Sequence, residues 1–519
     1  MSSPSPSPPA AGRPGTRPPA WLVALAAPAT AICAIPLVYL AVRAFSGGPA
    51  ALEQWLLRSR TLELTGRTLL LTAVVVAGCL LLGTATAWAI TRISLPAPRL
   101  WPVLAALPLA VPSYVSAFAW LATWPAVNGL APLALIMILA CTPYVTLPVA
   151  AALRMSDARI DDVARLLGAG RRRLFTTVTL PHIAPAAAAG GLLAALYTIA
   201  DFGAPAMLRY QVLTYAIRAS YLVSFDRQAA AALAVVLVLI AVVLTVAERQ
   251  ARRGVAGRQV AVRARRPEPR RISRPQTALV AAGLSLVAAA SVALPLVALL
   301  RRLWLGTGSD PDWGRLLTSS ASTLGLGVGA ALVTAVLALP LAALVAHYPG
   351  RLAGALEGVA YLGHGLPGIV VGLSLVFFTL AVTPALYQTA LALIFAYTVL
   401  FLPKSLGASR SALQAVSPGL APVARTLGRS RPVAFLSVTA RLAWPGIAAG
   451  ALLVMVTAMK ELPATLMLRP IGSNTLATEL WDRTAVARYG AAAPYAVALV
   501  VVAALPAWLL SDRSGRAEP

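Results

Sequence analysis

Asp161-Asp162-Val163-Ala164-Arg165-Leu166-Leu167-Gly168 is the stretch that decides the fold, because the chain carries its pattern twice. The first copy continues through Arg171-Arg172-Arg173 and Phe175 to Val178-Thr179-Leu180-Pro181. The second copy follows at a constant offset of 260 positions (428 − 168 = 260), as Val423-Ala424-Arg425, Leu427-Gly428, Phe435 and Val438-Thr439. The chain is therefore a duplication, and both copies lie in polar loops between long apolar runs.

The same offset continues beyond the loop. Three further segments match: Gly190-Gly191-Leu192-Leu193 with Gly450-Ala451-Leu452-Leu453, Asp201 with Glu461, and Met207-Leu208-Arg209 with Met467-Leu468-Arg469. The duplication thus predicts two homologous halves, residues 21–247 and 277–511.

The composition is that of an integral membrane protein. The 519 residues are 59% hydrophobic and 12% charged, with a mean hydropathy of +0.78, far from the makeup of a soluble globular domain. The net charge of +26 would indicate nucleic acid in a soluble chain. Arginine collects in a few inter-helix segments, so we attribute the charge to positive-inside topology and expect no nucleic-acid partner.

Apolar runs of about 20 residues, the length that crosses about 30 Å of hydrocarbon, predict an all-α membrane fold with twelve transmembrane helices. Six lie in the first half, near 21–45, 68–90, 100–123, 131–153, 186–208 and 229–247. Six lie in the second half, near 278–300, 320–346, 356–381, 385–403, 443–468 and 491–510. Because six is an even number, both halves enter the membrane from the same side, and the repeats are parallel.

Three segments outside the halves are predicted to lie in the cytoplasm. Residues 1–20 form a disordered tail rich in Pro and Ser, which cannot bury enough apolar surface to fold. Residues 248–276 form an arginine-rich linker suited to an anionic membrane surface, and residues 512–519 form a second tail. The arginines of the linker and of both repeated loops place these segments, and both termini, on the cytoplasmic side.

Each repeated loop is predicted as a short amphipathic helix, a glycine turn and a second short helix that ends near proline. Glycine permits the sharp turn. A basic helix-turn-helix that faces the cytoplasm suits the docking of a partner protein. The alternative is a plain polar connector whose symmetry is inherited from the duplication.

The first repeated loop, from Asp162 to Pro181, resembles a motif of a known family. The order acid-Val-Ala, three residues, Gly, nine residues, Val, one residue, Leu-Pro is similar to the EAA loop of binding-protein-dependent ABC importer permeases. The resemblance implies that the loop inserts into a separate ATPase subunit and transmits its closure to the membrane helices. The residues implied in this coupling are Asp162, Ala164, Arg165, Gly168, Pro181, Ala424, Arg425 and Gly428.

The second loop departs from the family pattern. Pro422 stands in place of the acid, and Ala440-Arg441 replaces Leu-Pro. The sequence therefore leaves open whether the two loops couple equally to the ATPase.

Two segments downstream of the loops, 200–210 and 459–470, resemble those of fused two-half permeases of ferric iron importers. The resemblance covers nearly the whole chain and implies a multi-pass permease of the bacterial inner membrane. Its implied partners are two copies of an ABC ATPase subunit and an extracytoplasmic binding protein that delivers ferric iron. Permeases for thiamine, polyamines, phosphonates, sulfate and molybdate share the EAA loop, so these cargoes remain alternatives.

The chain itself is expected to be neither an enzyme nor a binder of ATP or another cofactor. A P-loop needs Gly-Lys followed by Ser or Thr, whereas Lys404 follows Pro403 and Lys460 precedes Glu461. ATP is therefore expected on the partner subunit.

Two other function classes share some of these features. A secondary transporter driven by an ion gradient would also have twelve spans in parallel halves, but it would not need the duplicated loop. A membrane-embedded transferase or hydrolase needs a cluster of reactive side chains. The three histidines, His182, His347 and His364, are scattered along the chain and predict no such cluster and no metal site.

Asp201 and Glu461 are the ionisable pair of greatest interest, because a charge inside a membrane span is costly and usually faces a cavity or a partner. Related by the repeat, they are candidates to face each other across the translocation path. Our hypothesis is that their hard oxygen ligands line the path for a ferric ion. The alternative is that each carboxylate bonds neighbouring backbone that Gly203, Pro205 or Pro463 leaves open.

Overall fold

The computed structural model describes residues 18–256, 269–305 and 312–515, which fold into α-helices and short connections. The helices of the first half are α1 Ala20–Ala44, α2 Pro49–Leu56, α3 Ser59–Arg92, α4 Leu100–Ala106, α5 Ser113–Thr123, α6 Leu130–Met155, α7 Ala158–Leu166, α8 Arg171–Leu174, α9 Leu180–Ala200, α10 Gly203–Met207, α11 Leu213–Leu222 and α12 Arg227–Ala256.

The second half follows the same order. Its helices are α13 Arg274–Ala288, α14 Leu294–Trp304, α15 Trp313–His347, α16 Arg351–Ala360, α17 Leu362–Gly365, α18 Gly368–Val382, α19 Ala390–Ala415, α20 Leu420–Thr426, α21 Arg431–Ala434, α22 Arg441–Met459, α23 Pro463–Leu468, α24 Leu476–Ala485 and α25 Tyr489–Gly515. Short π-helical turns join three pairs of helices, at Phe175–Thr179, Ala289–Ala293 and Phe435–Ala440.

Apolar helices occupy all twelve predicted positions. Within the described ranges, nine helices are long and apolar enough to cross a membrane, and a tenth is gained if the bent pair Leu100–Ala110 and Ser113–Thr123 forms one span. The other two positions hold the shorter apolar helices Gly368–Val382 and Tyr489–Ala504.

Two predicted spans are broken in the middle. The span at 100–123 changes direction by 86°, because Pro112 has an extended backbone (ψ 142°) and starts α5. The span at 356–381 is interrupted in the same way at Pro367 (ψ 140°), which starts α18. Proline lacks the N–H that a continuous helix would need at this point.

The ends of two other predicted spans are wrong. The prediction placed 186–208 and 443–468 in single helices, but α9 ends at Ala200 and α22 ends at Met459. In both halves the chain then makes a non-helical turn that contains the acidic residue, before the short helices α10 and α23 begin. Hydropathy did not reveal these turns, because the residues on either side are apolar.

The predicted segment boundaries also shift. Residues 248–256, assigned to the linker, continue α12, and the last residues up to Gly515 continue α25. In the part of the linker that follows residue 268, Arg270 N donates to Arg92 O at 2.8 Å, and Ser94 N donates to Arg270 O at 2.9 Å. This part of the linker is therefore bound to the turn that follows α3. The predicted tail at 1–17 and the middle of the linker, 257–268, lie outside the described residues.

The first helix of each half packs on the other half. Helix α1 lies along α15, α16 and α18, where Thr30 Oγ1 donates to Leu356 O at 3.4 Å. The rings of Tyr39 and Phe378 meet edge to face at 5.0 Å. Helix α14 packs against α5 and α25. The sequence halves 21–247 and 277–511 are therefore not separate bodies, since each is completed by a helix of the other.

The packing of α1 also shows that the halves run parallel. Leu22 near its start shares an apolar cluster with Val345, near the end of α15. Leu40 near its end shares a cluster with Leu64, near the start of α3, and with Leu326, in the first half of α15. Helices α3 and α15 therefore start at the same end of the bundle, as six spans per half predict.

Glycine lets the central helices of each half approach closely. A Cβ added at Gly190 in α9 would lie 2.5 Å from the Tyr144 carbonyl oxygen of α6. Its counterpart Gly450 in α22 lies against Ala408 and Ser405 of α19. Small residues at helix contacts are the usual means of close packing between membrane helices.

We expect Gly190→Ala to lower the thermal unfolding midpoint of the detergent-purified protein. The new methyl group would meet backbone atoms of Tyr144 and Val145, and overpacking of this kind costs about 1–3 kcal/mol. Gly325→Ala in α15 is the matched control, because a Cβ there meets nothing within 4 Å. The control should hold its midpoint or gain slightly from helix propensity, and equal midpoints for the two variants would contradict the close contact.

Candidate functional site

The two repeated loops have the same backbone geometry. In the first, Ala169 N donates to Ala164 O at 3.0 Å around Gly168, whose φ is +78°. In the second, Arg429 N donates to Ala424 O at 3.2 Å around Gly428, whose φ is +85°. A left-handed residue that closes a helix end in this way is usually glycine. The glycine turn predicted from the sequence is confirmed in both copies.

The predicted second helix does not end near proline. Helix α8 continues through the π-helical turn at Phe175–Thr179 into α9, and Pro181 lies in the first turn of α9. The second copy does the same through Phe435–Ala440. Proline is tolerated in a first helical turn, so Pro181 does not interrupt the first copy, and Arg441 stands at the same position in the second. Each loop is therefore continuous with a long central helix. Turns of the π type are rare and cluster at functional sites.

Aromatic contacts tie each loop to the end of a long helix. Phe175 meets Trp88 of α3 edge to face at 5.5 Å. Its counterpart Phe435 meets His347 of α15 edge to face at 6.3 Å. We call this end of the bundle the loop end. Each loop is thus connected both to a central helix and to the end of α3 or α15.

The loops expose apolar side chains away from the bundle. Leu166 and Leu167 are 87% and 80% exposed, and Leu427 in the second copy is 78% exposed. Exposed apolar groups in a polar, charged loop indicate a surface that another protein covers. Ile160 and Val163 in α7 are exposed as well, and so are their counterparts Leu420 and Val423 in the shorter helix α20.

The other predicted coupling residues differ in how exposed their side chains are. Asp162, Pro181 and Arg425 are exposed, and Ala424 is buried against the loop. Arg165 lies in α7, but its side chain is outside the part of the structure that is described. In the second loop Pro422, at the position of the missing acid, is also exposed.

The second candidate site lies where the spans are broken. Asp201 is buried in the turn after α9 and accepts hydrogen bonds from Ser113 Oγ and, at 3.2 Å, from Ala204 N. Ser113 is the first residue of α5. The carboxylate therefore sits at the start of two helices, where the partial positive charge of exposed N–H groups stabilises an anion.

Glu461 occupies the matching place in the second half. Its Oε1 accepts from Ala464 N at 3.1 Å and contacts Gly368, the first residue of α18. A Cβ at Gly368 would meet this oxygen, so a larger residue there would displace the Glu461 carboxylate from its place. The other oxygen, Oε2, is buried and has no hydrogen-bond partner among the residues that the structure describes. Asp201 and Glu461 lie within electrostatic reach of each other.

The two halves meet at this point. Lys460 Nζ donates to Leu109 O, and Tyr114 OH donates to Lys460 O, both at 3.2 Å. Gly203 packs against Tyr114 and against Leu462 of the other half. We call this region, from the start of α5 to Glu461, the central junction. It is closed by direct contact between the halves.

Sequence reasoning missed the partners of the two acids. Ser113 and Gly368 follow Pro112 and Pro367, which stand 255 positions apart (367 − 112 = 255). This second offset was the available signal, because a proline repeated inside both halves marks a shared helix break. Among the residues described, no three His, Cys, Asp or Glu side chains gather into a metal-binding group.

A cavity of about 500 Å³ opens in the second half, near the start of α15 and far from the loop end. Leu213 and Leu476 are equivalent, because their N–H groups donate to Thr68 and Thr323 hydroxyls at 3.0 and 2.9 Å. Their separation is 263 (476 − 213 = 263), so the second half has three extra residues here. They form a turn around Gly472 (φ +76°) that lines the cavity.

A buried carboxylate links the elements that line this cavity. Glu479, with a side chain only 1% exposed, accepts from Arg315 Nε at 2.7 Å and from Asn474 Nδ2 at 2.6 Å. Arg483 forms an ion pair with the same carboxylate. Three cationic or polar donors thus share one buried anion, which links α15, the extra turn and α24.

Glu479→Gln is expected to lower stability by about 2 kcal/mol, because it removes the charge from a buried hydrogen-bond acceptor that Arg315, Asn474 and Arg483 share. Glu63→Gln is the control, since its pairs with Arg60 and Arg67 are solvent-exposed and such pairs contribute little to stability. The thermal midpoints of the purified variants measure the difference. A midpoint for Glu479→Gln as high as that of the control would contradict the role of the buried anion.

Comparison with known proteins agrees with the duplicated loop. The family described as binding-protein-dependent transport system inner membrane component matches residues 79–255 and again residues 338–513. The chain is 32% identical over 501 residues to the Fe(3+)-transport system permease protein FbpB 2 of Haemophilus influenzae, covering 95% of this chain and 98% of the relative.

Two other relatives match over shorter stretches. The sulfate transport system permease protein CysW of Escherichia coli is 27% identical and covers 33% of this chain and 65% of its own length. The molybdate/tungstate transport system permease protein WtpB of Thermococcus kodakarensis is 30% identical and covers 36% of this chain and 70% of its own length.

Proposed function

This chain belongs to the family of binding-protein-dependent transport system inner membrane components, and we propose that it is the permease of an ATP-driven importer for ferric iron. Both halves of the permease are fused in one chain. The observation that carries the proposal is the pair of loops at Gly168 and Gly428, within a chain that matches a ferric iron permease over nearly its full length.

The partners are an ABC ATPase, with one copy on each loop, and a binding protein that delivers the cargo at the opposite face. The loops support the first partner, because they expose leucines and are continuous with the central helices α9 and α22. Closure of the ATPase would move the loops, and the π-helical turns and the contacts of Phe175 and Phe435 would pass that motion to the bundle. The loop end is then cytoplasmic, with both termini on that side.

Replacement of both loop glycines should uncouple the importer. Gly168→Ala with Gly428→Ala puts side chains at φ near +80°, which costs about 1–2 kcal/mol per residue and distorts the docking surface. We expect ATP-driven uptake to fall and the co-expressed ATPase to co-purify poorly. Gly170→Ala is the control, because that glycine needs no left-handed backbone.

Normal co-purification and normal uptake in the double glycine variant would count against the proposal. Uptake that persists after ATP depletion would instead favour an ion-gradient transporter. Uptake of sulfate, molybdate, a polyamine, thiamine or a phosphonate in place of iron would leave the importer class intact and change its cargo.

Asp201 and Glu461 are proposed to line the translocation path at the central junction. Support comes from their position where the halves meet, beside the helix breaks at Pro112 and Pro367. Their oxygens already accept from Ser113, Ala204 and Ala464. This favours a role in holding the helix starts around the path over direct ligation of a passing ferric ion.

Paired substitutions separate these two roles. Asp201→Asn with Glu461→Gln keeps an oxygen acceptor at each helix start, so we expect uptake to stay within about threefold of the parent, a change below 1 kcal/mol. Asp201→Ala with Glu461→Ala removes the acceptors and should abolish uptake. Loss of uptake in the Asn/Gln pair at normal protein level would show that the negative charges themselves are required, as expected for ligands of a cation.

A further inference from the structure

The repeat brings one pair of equivalent residues into contact with each other. Helices α11 Leu213–Leu222 and α24 Leu476–Ala485 are both 10 residues long and begin at the equivalent leucines. Arg218 and Trp481 hold the same position in these two helices (481 − 218 = 263). The guanidinium carbon of Arg218 lies 5.6 Å from the centre of the Trp481 ring. A residue of the first half thus meets its own counterpart in the second.

Contact between equivalent residues fixes their place in the bundle. The halves run parallel, so the axis that relates them lies along the membrane normal. In a twofold arrangement a residue reaches its own copy only close to the axis. A second equivalent pair, Phe202 and Leu462 (462 − 202 = 260), converges in the same way, because a Cβ added at Gly203 would lie 3.2 Å from Leu462 Cδ2. Arg218 and Trp481 therefore lie near the axis between the halves.

Phe202 completes a cluster with these two side chains. Its ring centre lies 5.0 Å from that of Trp481, and the Arg218 guanidinium carbon lies 5.7 Å from it. Phe202 and Trp481 are only 1% and 9% exposed. A guanidinium over aromatic faces is attracted by the ring quadrupoles. The three side chains, which we call the axial cluster, thus form one packed contact between the halves.

The axial cluster lies on the side of the central junction that faces away from the loop end. Helix α11 starts beside the acidic turn, where Thr214 Oγ1 donates to Asp201 O at 2.8 Å. It then leads to α12, whose Gln228 touches Gly47, shortly after the end of α1. That end of α1 is opposite the loop end. A solute that enters there reaches the axial cluster before the two acids.

The closed cluster leaves one donor of Arg218 unsatisfied. Its Nε atom is buried and has no hydrogen-bond partner within the described ranges. A buried donor without a partner costs free energy, and water would satisfy this nitrogen if the rings moved apart. This cost favours a contact that opens during a working cycle over one that only fills the core.

We propose that Phe202, Arg218 and Trp481 form the outer gate of the translocation path, where the halves separate to admit cargo. This inference rests on the proposed function and names the residues that control entry. The equivalent positions 218 and 481 carry a cation and an aromatic ring, which attract each other, whereas two arginines would repel. The divergence of the halves at this position thus stabilises the closed gate.

A reversible cross-link across the gate tests this proposal. Arg218→Cys with Trp481→Cys is made in a chain whose native cysteines, Cys33, Cys79 and Cys141, are replaced by alanine. A short, reducible bifunctional thiol reagent should join positions 218 and 481, and peptide masses report the link. We expect ATP-driven uptake into proteoliposomes to fall by on the order of tenfold or more, because a locked gate admits no cargo. Reduction of the link should restore uptake.

Tyr39→Cys with Phe378→Cys is the matched control. These rings also lie 5.0 Å apart and join the two sequence halves, but they do so where α1 packs on α18, away from the axial cluster. Their cross-link should leave uptake unchanged. Full uptake with the gate link in place, equal losses for the two links, or no link between positions 218 and 481 would overturn the proposal.

A labelling rate gives a second readout that needs neither the ATPase, the binding protein nor an identified cargo. Ser113→Cys puts a reporter thiol beside Asp201, on the inner side of the gate. A membrane-impermeant thiol reagent, added outside spheroplasts that express the chain alone, should modify this thiol slowly. Phe202→Ala with Trp481→Ala should speed the reaction by on the order of tenfold, because the aromatic and cation–π contacts are lost.

Tyr39→Ala with Phe378→Ala is the control for this arm, since it removes a ring pair of the same separation and should leave the reporter slow. Equal rates in the parent, gate and control chains, or a fast reaction in the parent, would overturn the proposal. The labelling arm judges the gate even where the unlinked cysteine pair takes up no cargo. Its failure is therefore distinct from a failure of the proposed function.

Discussion

The structure depends on how broken backbone is satisfied in the middle of an apolar bundle. Helices that begin after these breaks have N–H groups without intrahelical partners in their first turn, and hydrocarbon offers no water to bond them. Asp201 and Glu461 accept from Ala204 N and Ala464 N at the starts of the short helices α10 and α23, and they lie beside Ser113 and Gly368 at the starts of α5 and α18. Two residues that stand out in the sequence as membrane charges are thus first of all parts of the backbone arrangement.

This arrangement also brings the two halves into contact at the central junction. The turns that hold the acids also carry Gly203 and Leu462, which touch across the junction, and Lys460 reaches the carbonyl oxygen of Leu109 in the other half. The exchange of α1 and α14 between the halves adds a second connection at the periphery. Relative motion of the halves therefore has to pass through the junction, while the exchanged helices keep the halves together.

The two halves share their backbone geometry but differ in their charged and polar side chains. Both loops have the left-handed glycine, the π-helical turn and the aromatic anchor. Only the first has the acid at Asp162, and only the second half has the lysines and the extra turn at Gly472. Backbone geometry is shared because both halves must pack in the same way, whereas side chains outside these packing contacts are free to differ.

The sequence by itself determined the membrane class, the twofold repeat, the glycine turns of the loops and the positions of twelve apolar helices. These follow from local properties: hydropathy, a constant offset, and the backbone that glycine alone adopts readily. Only the tertiary structure decided that α1 and α14 cross to the opposite half, that Asp201 and Glu461 bind helix starts, and that Phe175 and Phe435 anchor the loops. These are contacts between residues far apart in the chain, and no local pattern specifies which apolar face meets which.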